Sequence, residues 1–140
     1  MCKKGDNLEL RDFFEVRDLL LEEKLTIEEI NEGLEPMQEF IKVCISRHAY
    51  ERMYDQFDRF CEYSEVEDLI ISKATEILNT SLNEDFVLLR EDFKLAVVCF
   101  ITNIEGNLSL VIKTVIRKVY VENGVEKEKR VWIRKNSKIL

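Results

Sequence analysis

The sequence is poor in the side chains that most often bind metals. It has one histidine, and its four cysteines (Cys2, Cys44, Cys61 and Cys99) contain no Cys-x-x-Cys pair. A zinc site needs about four such ligands at close spacing, so we expect neither a structural metal nor another cofactor. Cys44 and Cys99 lie in apolar, strand-like runs, which predicts reduced core residues.

Long apolar runs are also missing. No segment approaches the roughly 20 apolar residues that a membrane-spanning helix requires. The start of the chain, MCKKGDNLEL, has no apolar stretch of the signal-peptide kind. We therefore expect a cytoplasmic protein without a membrane segment. Its 140 residues, of which 46% are hydrophobic, are enough for one domain with a real core.

The net charge of −7 is distributed unevenly along the chain. Residues 107–140 hold nine lysines and arginines against three glutamates, a balance of +6, so residues 1–106 carry −13. A basic binding face opposite an acidic one would produce this split. Solvated, lysine-rich strands would produce it too, because lysine on an edge strand discourages aggregation. Both interpretations stay open.

The acidic N-terminal part, residues 1–37, predicts a helical hairpin. Apolar side chains recur at helical spacing in residues 8–24, which predicts a first helix. Thr26 and Glu29 then form a capping-box pattern for a short second helix. The segment has no basic recognition helix, so we do not expect it to read DNA.

The remainder, residues 38–140, predicts an α+β domain. Residues 39–46 alternate in the manner of an early strand, and Ser46 is a suitable N-cap for a helix that begins at Arg47. Ser64 and Glu67 have capping-box spacing at the start of a further long helix.

Four strands are predicted after this helix, at residues 86–90, 94–104, 108–121 and 129–135. The turns between them are short, and Asn123-Gly124 is a type I′ hairpin signal. The sequence therefore predicts a four-stranded antiparallel meander packed against helices. Its second and third strands are apolar on both faces, which is typical of central strands.

The helix that begins at Arg47 carries the only histidine, and its polar side has two interpretations. On a wheel of about 100° per residue, the apolar stripe is expected to be core and comprises Tyr50, Met53, Tyr54, Phe57, Phe60 and Cys61. The opposite side comprises His48, Arg52, Asp55 and Arg59. This side is either a solvated face with intrahelical charge pairs or a site. In a site, His48 would move a proton beside a bound phosphate while Arg52 held an oxyanion.

The last predicted strand supplies a second candidate. Its alternation places Arg130, Trp132 and Arg134 on one face, and an aromatic ring between two guanidinium groups suits stacked bases and phosphates. On the neighbouring strand, Lys113 and Arg117 share a face. The alternative is structural: Trp132 anchors a small cluster beneath the acidic hairpin, and the arginines pair with its glutamates.

The stretch SRHAYERM, residues 46–53, followed by helices and a meander that contains LVIKTVIRK, resembles small phage and bacterial proteins with a Ser/Lys-x-His-Ala-x-x-Arg-Met helix. Those proteins are similar to the barnase, EndoU, colicin and RelE-type ribonuclease superfamily. The resemblance covers about residues 39–135 and implies a compact α+β fold with metal-independent RNA cleavage. The residues that it implies for the site are His48 and Arg52 at the motif positions, Thr114 as the hydroxyl residue, and Arg117, Arg130 and Arg134 as phosphate ligands.

Three functions follow from these observations. The first is a small ribonuclease-like domain, active or vestigial, that is toxin- or phage-encoded and acts on RNA in the host cytoplasm. The second is a non-enzymatic, phage-type interaction or inhibitor protein that binds a basic host protein through its acidic surface. The third is a nucleic-acid binding module that uses only the basic strands. A monomer and a homodimer are both compatible with the sequence.

Overall fold

The structure is a computed structural model that describes residues 13–55, 60–117 and 138–140. Within these residues the chain forms five strands and four helices. The strands are β1 (Phe13–Glu22), β2 (Gln38–Ser46), β3 (Phe86–Leu89), β4 (Ala96–Ile104) and β5 (Asn107–Ile116). The helices are α1 (Ile27–Asn31), α2 (Arg47–Asp55), α3 (Tyr63–Ser72) and α4 (Ala74–Leu78). The predicted α+β class is confirmed.

The described strands form one mixed sheet in the order β1-β2-β5-β4-β3. The neighbours β3, β4 and β5 are antiparallel, as the predicted meander requires, and the early strand β2 is present. However, β2 and β5 run parallel, with Cys44 opposite Val111. A purely antiparallel sheet is therefore wrong, because this parallel pair joins strands that are distant in the chain and have no turn between them. The predicted strand at 129–135 and the Asn123-Gly124 turn lie outside the described residues.

The first helix predicted for residues 8–24 is wrong in the part that the structure describes, because Phe13–Glu22 is strand β1. It pairs antiparallel with the full length of β2 in the same sheet, and a bulge shifts the register between Glu15 and Arg17. The bulge breaks the period-two alternation that marks a strand in the sequence. The apolar residues then fall at a spacing that imitates a helix.

The second element of the predicted hairpin, α1, is confirmed. The Thr26 hydroxyl accepts from the Glu29 amide at 3.2 Å, and the Glu29 carboxylate accepts from the Thr26 amide at 2.8 Å. At the other end, Gly33 has a φ of 83°, and the Leu34 amide donates to the Glu29 carbonyl at 3.1 Å. Such a left-handed residue is inexpensive only for glycine, so the sequence determines both ends of this short helix.

The long helix predicted after Ser64 is two helices, and the predicted cap is wrong by two residues. The N-cap of α3 is Glu62, whose amide donates to Glu65 Oε2 at 3.2 Å. The break between α3 and α4 falls at Lys73, which has a φ of −107° and a ψ of 19°. The turn lets Ala74 and Ile77 of α4 join Ile70 of α3 in the core, so burial overrides the continuity of the helical pattern.

The main core lies between the sheet and helices α2, α3 and α4. Strand β5 is buried on both faces: Leu110, Ile112 and Val115 belong to the main core, whereas Val111 and Ile116 belong to smaller clusters on the other face. This confirms β5 as a central strand. The described C-terminal residues pair with β3, where Ile139 forms a bridge to Val87.

Candidate functional site

Helix α2 holds the lone histidine at the carboxyl end of β2. The Ser46 hydroxyl accepts from the Ala49 amide at 3.0 Å, which confirms Ser46 as the cap of this helix. His48 is exposed in the first turn, and Arg52 is half-buried one turn later. The imidazole therefore points to solvent at a helix N-terminus, a position where an anion is favoured.

Thr114 does not share a face of the sheet with α2. It lies opposite Val98 on β4, and Val98 packs with Val87, Ala96 and Ile116. Opposite residues of an antiparallel pair point to the same side of a sheet. Helix α2 packs through Ala49 and Met53 on the other side, in the main core. The sheet thus separates the threonine from the face on which α2 packs.

Arg117 is held in a cluster of charges rather than presented to solvent. Its Nη1 donates to Glu65 Oε1 at 2.9 Å, and Arg90 Nη1 donates to the same oxygen at 3.1 Å. Burial alone would raise the pKa of Glu65, but the hydrogen bonds from Arg117 and Arg90 outweigh it and leave the pKa below its ordinary value. Arg90 also binds Asp92 at 2.9 Å. This cluster joins α3 to the ends of β3 and β5.

The other predicted phosphate ligands, Arg130 and Arg134, lie outside the described residues together with Trp132. Lys113, which the sequence predicts to share a strand face with Arg117, donates to Asp85 Oδ2 at 2.8 Å. Among the described residues, then, the structure brings His48 and Arg52 onto one helix. It does not bring Thr114 or Arg117 into a common site with these two residues.

In the described part of the chain, the side chains that could bind a metal are not clustered and the cysteines are buried. No group of three or more His, Cys, Asp or Glu side chains there could hold a metal ion. Cys44, Cys61 and Cys99 are buried free thiols, as the sequence predicts for Cys44 and Cys99. Burial raises the pKa of Cys44 and of Cys61 to about 11, so these thiols remain protonated and unreactive near neutral pH.

Helix α2 corrects the expectation that its aromatic residues belong to the core. Ala49 and Met53 are fully buried, whereas Tyr50, Tyr54 and Phe60 are 46%, 42% and 48% exposed. At about 100° per residue, Tyr50 and Tyr54 lie on the flank of the helix when Ala49 faces the sheet. The short helix has Phe14 of β1 as its neighbour on that flank. The side chain of Phe57 is outside the described residues.

The exposed rings form a continuous line, which we name the aromatic row: Phe14, Tyr50, Tyr54 and Phe60. Successive ring centroids are 5.4, 5.0 and 6.1 Å apart, and successive ring planes are tilted by 57°, 50° and 78°. The Arg47 guanidinium lies over the Phe14 ring at 5.8 Å from its centroid, within the range of a cation–π contact. Burial raises the pKa of Tyr54, and the nearby Glu62 carboxylate adds to the shift.

A second exposed surface lies on the connection between β1 and β2 and on the strand ends that flank it. We name it the hairpin surface. It consists of large apolar side chains that are 45–75% exposed, namely Ile27, Ile30, Leu34, Met37 and Phe40, and of the seven glutamates in residues 22–40. No side chain of α1 is buried. An exposed apolar surface of this kind is typical of an interaction site.

The hairpin surface is held in place by hydrogen bonds at its base. The Glu23 amide donates to the Met37 carbonyl at 2.8 Å, and the Met37 amide donates to Glu23 Oε1 at 3.2 Å. The Lys24 amide also donates to Thr75 Oγ1 of α4 at 2.8 Å. These contacts attach the connection to the domain while α1 itself remains uncovered.

Sequence reasoning identified the acidic character of this segment but missed its exposed apolar side chains. The available signal is the spacing of Ile27 and Ile30, which puts two apolar groups on one side of a helix of five residues, and a further apolar residue, Leu34, follows the helix. Such a helix is too short to form a core of its own. For the aromatic row, the sequence contains no comparable signal, because exposure depends on which flank of α2 the sheet leaves open.

No family model, no curated protein and no solved structure matches the chain. The helices that the structure describes also include none that is long and apolar enough to cross a bilayer. The features of the described residues that bear on function are therefore the two exposed surfaces and the surroundings of His48.

Proposed function

We propose that this protein is a non-enzymatic interaction protein that binds a basic protein partner through the hairpin surface. The observation that carries the proposal is the exposure of five large apolar side chains, four on the connection between β1 and β2 and the fifth, Phe40, near the start of β2. The helix of this connection, α1, buries no side chain. Leaving such groups in water costs free energy that a partner recovers on binding.

The charge of the segment indicates the chemistry of the partner. Residues 22–40 contain seven glutamates and one lysine, a balance of −6. Phosphate backbones and anionic membranes would be repelled by this surface, as would a second copy of the same hairpin. A protein with basic residues around an apolar depression is complementary to it. The apolar depression of the partner would receive Ile30 and Phe40. The basic residues around that depression would face the glutamates of the hairpin surface.

Site-specific photo-cross-linking tests this proposal in cells of the organism that encodes the chain. A photoreactive phenylalanine analogue at Ile30 should give one discrete adduct, whereas the same analogue at Asn103, an exposed position on β4, should not. The captured protein is then purified and titrated at low and high salt. We expect its affinity to fall as salt rises, since screening weakens complementary charges. Equal adducts from both positions, or no adduct from Ile30, would contradict the proposal.

Charge reversal provides an independent check on the same surface. Glu28→Lys combined with Glu32→Lys should weaken binding to the purified partner and slow association more than it speeds dissociation. Glu76→Lys, at an exposed position on α4, is the matched control because it changes the net charge outside the hairpin surface. If Glu76→Lys weakens binding as much as Glu28→Lys does alone, the effect is one of total charge and the hairpin surface is not the binding site.

A second candidate function is metal-independent RNA cleavage, and one observation favours it. His48 is exposed in the first turn of α2, where it is able to meet a phosphate. Labelled single-stranded RNA incubated with the protein and a chelator provides the test. Cleavage that His48→Ala or Arg52→Ala abolishes and that Glu51→Ala preserves would support the ribonuclease. Intact RNA in every sample favours the interaction protein.

A further inference from the structure

We propose that the aromatic row is a second docking surface and that it receives arginine side chains of a basic peptide segment. The row is separate from the hairpin surface. Phe14 lies opposite Ile45 at one end of the β1–β2 ladder, and Glu22 lies opposite Gln38 at the other. At about 3.3 Å per residue, these ends are roughly 26 Å apart, and Phe40 of the hairpin surface, which lies opposite Leu20, is roughly 20 Å along the ladder from Phe14. The two surfaces are therefore separate.

The structure contains one example of the contact that is proposed. Arg47 places its guanidinium over the face of Phe14 at 5.8 Å, which shows that a planar cation fits on a ring of this row. Tyr50, Tyr54 and Phe60 continue the line with more than two fifths of each side chain exposed. Arginine stacks on aromatic faces more readily than lysine does, because its cation is planar and less strongly hydrated.

The tilt of the rings favours arginine over stacked bases. Successive planes differ by at least 50°, so neighbouring rings do not form the flat platform on which consecutive bases stack. They instead present separate faces, and each face is large enough for one guanidinium group. A row of isolated faces suits side chains that extend from a flexible peptide.

The charges beside the row match a basic occupant. Glu51 is exposed on α2, three residues before Tyr54, and Glu62 is exposed beyond Phe60 and acts electrostatically on Tyr54. These carboxylates are placed to pair with guanidinium groups that lie over the rings. Arg47 occupies the Phe14 end, so the peptide would lie over the Tyr50 to Phe60 part of the row.

Fluorescence polarisation with a labelled arginine–glycine repeat peptide tests the inference, and the matching lysine–glycine peptide is the comparison. We expect the arginine peptide to bind more tightly. Tyr54→Leu should weaken it by about two- to fivefold, and the combined Tyr50→Leu and Tyr54→Leu change by about tenfold. Tyr54→Phe should preserve binding, because it keeps the aromatic face.

Four results would overturn the inference. The first three are equal binding of the arginine and lysine peptides, equal loss in Tyr54→Phe and Tyr54→Leu, and unchanged binding in the double variant when circular dichroism shows it to be folded. A labelled RNA that binds the row more tightly than the peptide would also overturn it. The combined Ile30→Ala and Phe40→Ala variant separates this inference from the proposed function, because it should leave the arginine peptide's affinity unchanged.

Discussion

The Ser46 hydroxyl donates to the Lys113 carbonyl of β5 at 3.0 Å and accepts from the Ala49 amide at 3.0 Å. One side chain therefore caps α2 and fastens its first turn to the central strand. The bond runs between strands that are parallel and far apart in sequence. It fixes the position from which α2 presents His48 on one side and the aromatic row on the other.

Ser46→Ala should lower the free energy of unfolding by about 1–2 kcal/mol, because it removes the helix cap and leaves a carbonyl of β5 without this donor. Urea denaturation measures the change. Ser64→Ala is the matched control, since the helix cap lies at Glu62 rather than at Ser64. A loss of stability in Ser64→Ala as large as in Ser46→Ala would indicate that Ser64 caps α3, as the sequence predicts, and would contradict the cap at Glu62.

Glu65→Gln should destabilise the protein by about 1–2 kcal/mol near neutral pH, because Arg117 loses its charged acceptor. The folded-state pKa of Glu65 lies below its ordinary value of 4.5. Its contribution is therefore complete above that pH and is lost as the pH falls through the folded-state pKa. Urea titrations over this range should show the wild-type and variant curves converging in acid. A constant difference at all pH values would contradict the charge assignment.

Met53→Ala should cost about 2–4 kcal/mol of unfolding free energy, because Met53 is fully buried in the main core. Tyr54→Ala should cost less than about 1 kcal/mol, because Tyr54 is 42% exposed. Thermal or urea unfolding of the two variants distinguishes the structure from the sequence pattern, which places both side chains on one core stripe. Equal losses would favour the pattern.

Val115→Asp should prevent folding, because Val115 is fully buried in the central strand and an unpaired charge there costs about 4 kcal/mol or more. The soluble fraction after expression and the circular dichroism spectrum measure the outcome. Asn103→Asp places the same carboxylate at an exposed position on the adjacent strand and should leave the fold intact. A soluble, folded Val115→Asp protein would contradict the placement of β5.

A Cys2→Ser protein should react with a thiol reagent slowly in its native state and fully once guanidinium unfolds it, because Cys44, Cys61 and Cys99 are buried. The absorbance of the coloured thiolate that the reagent releases measures the rate of the reaction. Burial raises the pKa of Cys44 from 9.0 to about 11. Above pH 9.0 the unfolded protein loses this thiol proton more readily than the folded protein does, so the free energy of unfolding falls as the pH rises. The rate at which the thiols react under native conditions should therefore increase above pH 9.0, because more molecules unfold. Fast reaction at neutral pH would contradict the burial.

The sequence predicted the elements whose signals are local. Thr26 and Glu29 determine the start of α1, Ser46 determines the start of α2, and alternation marks β2 and the strands of the meander. Strand β1 was missed because its alternation is broken by a bulge and because its stability comes from pairing with β2. The break at Lys73 was missed for a related reason: the core requires Ala74 and Ile77 to turn inward.

The candidate site was less predictable than the fold. The sequence identified His48, Arg52 and the acidic character of residues 22–40, and these remain the basis of both candidate functions. The family resemblance implied a place for Thr114 in the same site as the histidine, but the face on which Thr114 lies depends on the pairing of β4 with β5. The sequence also placed Tyr50 and Tyr54 in the core, since a helical wheel shows which residues share a side and not how much of that side a sheet covers.

Composition and short-range pattern alone determined the α+β class, the charge of each part of the chain and the capping residues Thr26 and Ser46, because each depends on side chains within a few positions of one another. Only the tertiary structure decided that residues 13–22 extend the sheet, that β2 meets β5 in parallel, and that the aromatic row and the hairpin surface stay uncovered. Exposure is a property of what packs against a residue, and packing partners distant in the chain leave no trace in its local sequence.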